Sequence, residues 1–235
     1  MKMTVVVIFF KSVVYARFRT FAARFFHTRI DKRHWECLQA PRATACQGRD
    51  AVPAGCSPLH KHRENMRLIM SDRPLNITLR GAETRYFDLS SLRIAPCMGC
   101  FRCWTKTPGQ CVIRDDATTV YPCIAQSDRV IYVSRLRYGG YDSVMKTMLE
   151  RAIPIQQAFI RIHKGETHHV QRAVRPKKAT IVAYGDTGEE ERDLFRRLVA
   201  RNATNMSFEH YDIIFTTEAM VDDVVNKILE IWEES

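Results

Sequence analysis

From residue 66 onward the chain alternates short apolar runs with longer stretches of helical period. "MRLIM" at 66–70, "ETRYFDL" at 83–89, "RVIYVS" at 129–134, "ATIVAY" at 179–184 and "YDIIF" at 211–215 are rich in β-branched and aromatic residues. Their length and flanks predict five strands, with 129–134 buried on both faces. Four segments between and after them read as helices: 116–127, 143–153, 189–204 and 218–234. The first carries Pro122. The second places Val144, Met148, Leu149 and Ala152 together, and the third places Leu194, Leu198 and Val199 on one face behind three opening acids. The last stripes Met220, Val224, Val225, Ile228, Leu229 and Trp232. Strands alternating with helices at this length predict a three-layer α/β domain with a mainly parallel sheet. Ligands of such sheets bind beyond the carboxyl ends of the strands, where the strand order reverses.

The first 65 residues break this pattern. Residues 4–10 form an apolar run too short to span a membrane, and 31–65 hold no sustained period of 2 or 3.6. They read as a basic N-terminal extension, disordered or the product of a misassigned start, ahead of a domain at 66–235. Charge divides at the same place. The chain has 235 residues and a formal charge of +10, but residues 1–65 carry 12 Lys and Arg against 4 Asp and Glu, while 66–235 carry 24 against 22. A basic segment on a nearly neutral domain argues against a nucleic-acid-binding face, and a membrane partner is not expected either.

Candidate chemistry concentrates in "CMGCFRCWTKTPGQC", where Cys97, Cys100, Cys103 and Cys111 follow one another at spacings of two, two and seven. The pattern suits metal-binding or redox chemistry in a reducing, cytoplasmic setting better than a disulfide framework. Iron-sulfur ligation, a structural zinc site, a regulatory disulfide and a packed lid without metal all remain open to it. Cys123 lies on an apolar helix face and reads as a buried core residue. His168 and His169 lie in a polar stretch with Arg161, Lys164, Arg172 and Arg175 that reads as a solvated connection. No Walker loop, Ser-His-Asp set or paired carboxylates support a kinase or hydrolase, and no catalytic residue is singled out.

"APCMGCFRCWTKTPGQCVIRDD", followed by "SRLRYGGYDSVMKTMLERAI" and by "GETHHVQRAV", resembles the flavodoxin-fold NAD(P)H-dependent FMN reductases and iron-sulfur flavoproteins. The resemblance implies a five-stranded parallel sheet in the order 2-1-3-4-5, FMN at the strand carboxyl ends and NAD(P)H as electron donor. It also implies a [4Fe-4S] cluster on Cys97, Cys100, Cys103 and Cys111, a small-molecule or protein redox partner, and a homodimer. The expected flavin contacts are Ser71 at the phosphate, Ser134, Leu136, Arg137, Tyr138, Gly139 and Gly140 after the third strand, and Tyr184, Gly185 and Asp186 after the fourth. Tyr138 would stack on the isoalloxazine and Gly139 would admit it to the backbone. The loop after the first strand departs from the family's Gly-Ser-rich phosphate cradle. "SDRPLNITLRGAE" places a repelling Asp72 and a donor-less Pro74 there, with room for about two helical turns. That departure sustains an alternative: a flavin-free binding or scaffold protein that kept the fold.

Overall fold

The computed structural model describes residues 66–79, 83–163 and 165–233; the expectation for residues 1–65 lies outside them. In chain order the elements are β1 (Arg67–Ser71), β2 (Thr84–Asp88), the single-turn α1 (Arg102–Thr105), α2 (Ala117–Gln126), β3 (Arg129–Arg137), β4 (Gly140–Tyr141) and α3 (Ser143–Glu150). They continue with β5 (Gln156–His163), β6 (Glu166–Gln171), β7 (Lys177–Tyr184), α4 (Glu189–Asn205), β8 (Phe208–Thr216) and α5 (Val221–Glu233). Five strands pair in parallel in the order β2-β1-β3-β7-β8, so the order reverses between β1 and β3. This is the flavodoxin-like order. The two-residue β4 adds an antiparallel hairpin to the end of β3, and β5 and β6 form a separate antiparallel hairpin.

Alternate residues of each strand feed the two faces of the sheet. On one face Leu68, Met70, Val130, Tyr132, Ile181 and Ala183 pack beneath α2, α3 and α4 through Val120, Ile124, Met145, Met148, Phe195 and Val199. On the other, Ile69, Ile131, Val133 and Val182 meet Val221, Val225, Ile228 and Trp232 of α5. α2 runs through Pro122, and Val120, Tyr121 and Ile124 around it are buried in the core. In α5 the buried stripe begins at Val221, and Met220 stays 48 % exposed in the 3-10 turn before the helix.

No helix follows β1 within residues 72–79, contrary to the two turns that the chain length allows. Leu75 and Ile77 instead lie extended against the α5 face of the sheet. Asn226 of α5 anchors them, accepting from Thr78 N at 3.2 Å and donating to Asn76 O at 3.1 Å.

Lys177 opens β7 with 1 % exposure, and its ammonium donates to Arg175 O at 2.5 Å. Burial, together with nearby Arg175, pulls its pKa down to about 8. The unfolded chain therefore holds one more proton than the folded chain between about pH 8 and the ordinary lysine value, and stability rises with pH across that window. Relative to Lys177→Met, the unfolding free energy of the wild type is expected to climb by about 1–2 kcal/mol from pH 8 to 10. Urea titrations at the two pH values check this.

Candidate functional site

The carboxyl ends of β1, β3 and β7 meet where the strand order reverses, and Asp72 sits in that crevice. It is the first residue after β1, and only 9 % of it is exposed. Its Oδ2 accepts from the Arg135 peptide N–H at 2.6 Å and from Ser134 Oγ at 3.1 Å, while Oδ1 accepts from Tyr184 Oη at 2.8 Å. Burial raises the Asp72 pKa, against the opposing pull of these three donors. The Tyr184 hydroxyl is pushed up in turn by its burial and by the Asp72 charge.

This network absorbs several residues expected at a flavin. Ser134 and Tyr184 spend their hydroxyls on Asp72. The Tyr184 ring is covered by the guanidinium groups of Arg135 and Arg73, at 5.2 and 5.9 Å from its centroid. Ser71 is fully buried and its hydroxyl accepts from Arg73 N at 3.3 Å. Leu136 is buried in the core beside Tyr141. Arg137 pairs with Asp142 at 2.7 Å, and Arg135 with Glu218.

The segment after β3 presents a different surface. Tyr138 and Gly139 have φ of +51° and +69°, the pair of positive values a type I′ turn requires between β3 and β4. A bulky residue rarely takes this conformation, and here it holds the Tyr138 ring 90 % exposed at the rim. Gly139 tolerates no side chain, because an added Cβ would lie 2.4 Å from Leu194 Cδ2 and 2.8 Å from its Cβ. Gly139→Ala is expected to cost about 2–4 kcal/mol, from left-handed strain and overpacking together. A shift of the urea midpoint without a change of slope checks it. Gly140 in this hairpin and Gly185 after β7 are half-buried and Asp186 is exposed, with Gly185 N donating to Thr216 O at 3.2 Å.

The cysteine segment follows β2. Cys97, Cys100, Cys103 and Cys111 line one pocket together with Arg151 and Pro154. Gly99 and Phe101 both take positive φ, which folds the backbone tightly between the first three cysteines. Cys103 is buried in α1. Burial, reinforced by the neighbouring Cys111, Cys97 and Cys100, pushes its thiol up to about 11. Gly99 N donates to Cys97 Sγ at 3.5 Å and Arg151 Nη2 to Cys111 Sγ at 3.4 Å. All five described cysteines are free. Among the described residues no three of His, Cys, Asp or Glu are arranged to hold a metal ion. The four thiols share a pocket and are not gathered around a single ion.

Arg151, at the end of α3, is the residue that closes this loop. It is 1 % exposed and pairs with both Asp115 oxygens, at 2.6 and 2.8 Å. Its guanidinium also donates to Ala95 O at 2.7 Å, so it ties the chain before Cys97 to the chain after Cys111. Burial pulls the Asp115 pKa up, but the Arg151 and Ala95 N–H bonds outweigh it and hold the carboxyl below its usual range. Trp104 of α1 stacks between Phe101 and His169, at centroid distances of 5.2 and 4.7 Å, and its indole N–H donates to Ile153 O at 3.2 Å. His169 Nδ1 lies 2.9 Å from Gln157 O, and the His168 ring bridges Asn205 and Glu166. His169 thus braces the cysteine segment from β6, His168 ties β6 to the end of α4, and the stretch read as a solvated connection is a hairpin. Cys123 is half-buried against the core edge rather than fully enclosed.

The strand order defines an open α/β domain of the kind whose ligands bind where the order reverses. The family model described as NADPH-dependent FMN reductase matches residues 70–201, more than half the chain, and the chain belongs to that family. Among curated proteins it is 28 % identical over 105 residues to an iron-sulfur flavoprotein of Methanocaldococcus jannaschii, covering 45 % of this chain and 53 % of the relative. It is 36 % identical over 74 residues to an iron-sulfur flavoprotein of Archaeoglobus fulgidus, covering 32 % and 33 %. The chain thus spans about half or less of the length of these relatives. Among solved structures it is similar to an FMN-dependent NADH-azoreductase from Bacillus anthracis, with a TM-score of 0.46 and 15 % identity over 71 % of this chain and 96 % of the other.

Asp72, Arg151, Asp115 and Glu218 are the site residues that the sequence reading did not pick out as partners. Each acts through a contact between distant parts of the chain, and no local spacing marks it. Among the described residues no helix is long and apolar enough to cross a membrane.

Proposed function

We propose that this chain is a flavin-dependent oxidoreductase of the FMN reductase kind that draws electrons from NAD(P)H in the cytoplasm, with the flavin ring at the β3–β4 turn. The observation that carries this reading is Tyr138: an aromatic ring held in full exposure, by a backbone conformation such residues avoid, at the rim of the strand-order reversal. Conformational strain of that kind accumulates where function uses it. The ring side suits a flavin: Tyr138 offers a stacking face, Arg137, Gly185 and Asp186 border it, and the turn is held from beneath by Leu136 in the core and by Gly139 and Gly140 packed on Leu194 and Leu198. Ser71, Ser134 and Tyr184 serve from beneath by fixing the crevice floor. A bound flavin supplies the exchange between two-electron and one-electron steps; the protein supplies placement and water exclusion.

Cys97, Cys100, Cys103 and Cys111 are the residues that would hold a [4Fe-4S] cluster. The donor set fits: four free thiols line one pocket, and N–H groups already point at two of the sulfurs, an arrangement that tunes cluster potentials. The names of the curated relatives point the same way. A homodimer suits the β5–β6 hairpin, whose Phe159, Ile160 and Ile162 are 64, 55 and 74 % exposed; a sedimentation experiment returning only monomer would contradict it. The redox partner is a small molecule or a protein.

Anaerobic titration of the flavin-loaded chain with NADPH and with NADH tests the activity. Bleaching of the flavin absorption by either donor is the expected outcome, and a flavin untouched by both would sink the oxidoreductase reading. A second reading, a flavin-free scaffold, is favoured by the Asp72 network, since an occupied crevice needs no ligand. It predicts that the same chain takes up no flavin at all.

A further inference from the structure

The phosphate side of the crevice contrasts with its ring side. A phosphate bound at a strand-to-helix junction needs free peptide N–H groups and the positive end of a helix. Over residues 72–75 this chain offers neither. The Asp72 N–H is given to Val133 O at 3.1 Å, Arg73 N–H to Ser71 Oγ at 3.3 Å and Leu75 N–H to Tyr86 Oη at 2.9 Å, while Pro74 has none. The Thr78 N–H goes to Asn226, and the segment 72–79 holds no helix.

Charge completes the contrast. The position where β1 and β3 part already holds an anion, the Asp72 carboxylate, with three donors converged on it. The arginines around it are engaged by two acids. Arg135 and Arg73 both reach Glu218, the latter at 3.6 Å, and Arg137 pairs with Asp142. Three guanidinium groups against Asp72, Asp142 and Glu218 leave no surplus positive charge for a phosphate dianion. Its approach would set a further negative charge against Asp72, which is itself 9 % exposed, and repulsion between like charges strengthens as water is excluded from between them.

We infer that this chain selects a flavin without the terminal phosphate, with Asp72 as the residue that sets the specificity: the ligand class is riboflavin, and the Asp72 carboxylate stands in the crevice in place of the phosphate. The inference rests on the flavin reading above. It makes Asp72 an internal anion that occupies the Arg135, Ser134 and Tyr184 donors and closes that position to phosphomonoesters.

Equilibrium titration of the full chain with riboflavin and with FMN, followed by quenching of flavin fluorescence, tests it. Riboflavin is expected to bind at least about tenfold tighter than FMN, the effect of one buried carboxylate near a dianion where no surplus positive charge offsets it. Asp72→Asn keeps an acceptor for the Arg135 N–H and removes the charge, so the gap is expected to close to within about threefold. Tighter binding of FMN than of riboflavin by the wild type would overturn the inference while leaving the flavin reading intact. So would a well-folded Asp72→Asn variant with an unchanged ratio. Binding of neither flavin would overturn the flavin reading and the inference together. Should Asp72→Asn not fold, the wild-type ratio still decides.

Discussion

Arg151→Ala is expected to remove about 3–5 kcal/mol of folding stability, the largest single loss anticipated for this chain outside its hydrophobic core. The side chain is 1 % exposed and its charge is matched by both oxygens of Asp115, so truncation leaves a half-buried carboxylate with its main partner gone. The loss is larger than for an exposed ion pair, for which solvent screening leaves at most about 1 kcal/mol. Arg196 on α4, 43 % exposed and paired with Glu189, is the internal control: Arg196→Ala should shift stability only slightly. Arg151→Lys separates charge from geometry. A lysine keeps the charge but cannot serve Asp115, Ala95 O and Ile113 O from one planar group, so most of the loss should persist. Urea unfolding of the three variants checks all of this, and equal midpoints for Arg151→Ala and Arg196→Ala would refute the clasp.

Cys103→Ser is expected to reduce bound iron in anaerobically reconstituted protein from about four atoms per chain to near none. Cys103 is the one buried thiol of the four and sits in α1 with Trp104 braced against Ile153 and His169 on the other side. A serine there supplies a hydroxyl of much weaker affinity for iron, in a position the fold cannot readily adjust. Cys123→Ser should leave the iron content unchanged, because Cys123 lies on α2 and its thiol is turned to Thr119 O at 3.5 Å. Colorimetric iron and sulfide assays on both variants decide the matter. Equal iron in Cys103→Ser and wild type would remove the cysteine pocket from the redox account.

The parallel sheet was legible in the chain because its strands are buried on both faces. Runs such as Val130 to Val133 and Ile181 to Ala183 can be apolar throughout only where helices cover each side. Strand β3 extends to Arg137, three residues beyond its apolar run, because the Tyr138-Gly139 turn folds the chain back and gives Leu136 and Arg137 partners in β4. The β5–β6 hairpin escaped the reading for the opposite reason. Its apolar residues Phe159, Ile160 and Ile162 face outward among charged neighbours, so neither alternation nor burial marks it, and Gly165 alone hints at the turn. The cysteine positions were legible as a local spacing; the clasp that orders them was not, since Arg151 lies 40 residues from Cys111. Asp72 was visible as an obstacle to phosphate. That it fills the crevice depends on Ser134 and Tyr184, which lie 62 and 112 residues away along the chain.

The claim that organises these findings is that the crevice between β1 and β3, rimmed by Tyr138, receives a flavin. The absorption spectrum of the full chain, purified without oxygen, incubated with riboflavin or FMN and passed through a desalting column, tests it most directly. The account predicts flavin bands that travel with the protein, stronger with riboflavin and diminished in Tyr138→Ala, on a broad iron-sulfur shoulder. Protein that emerges colourless after both incubations would contradict it.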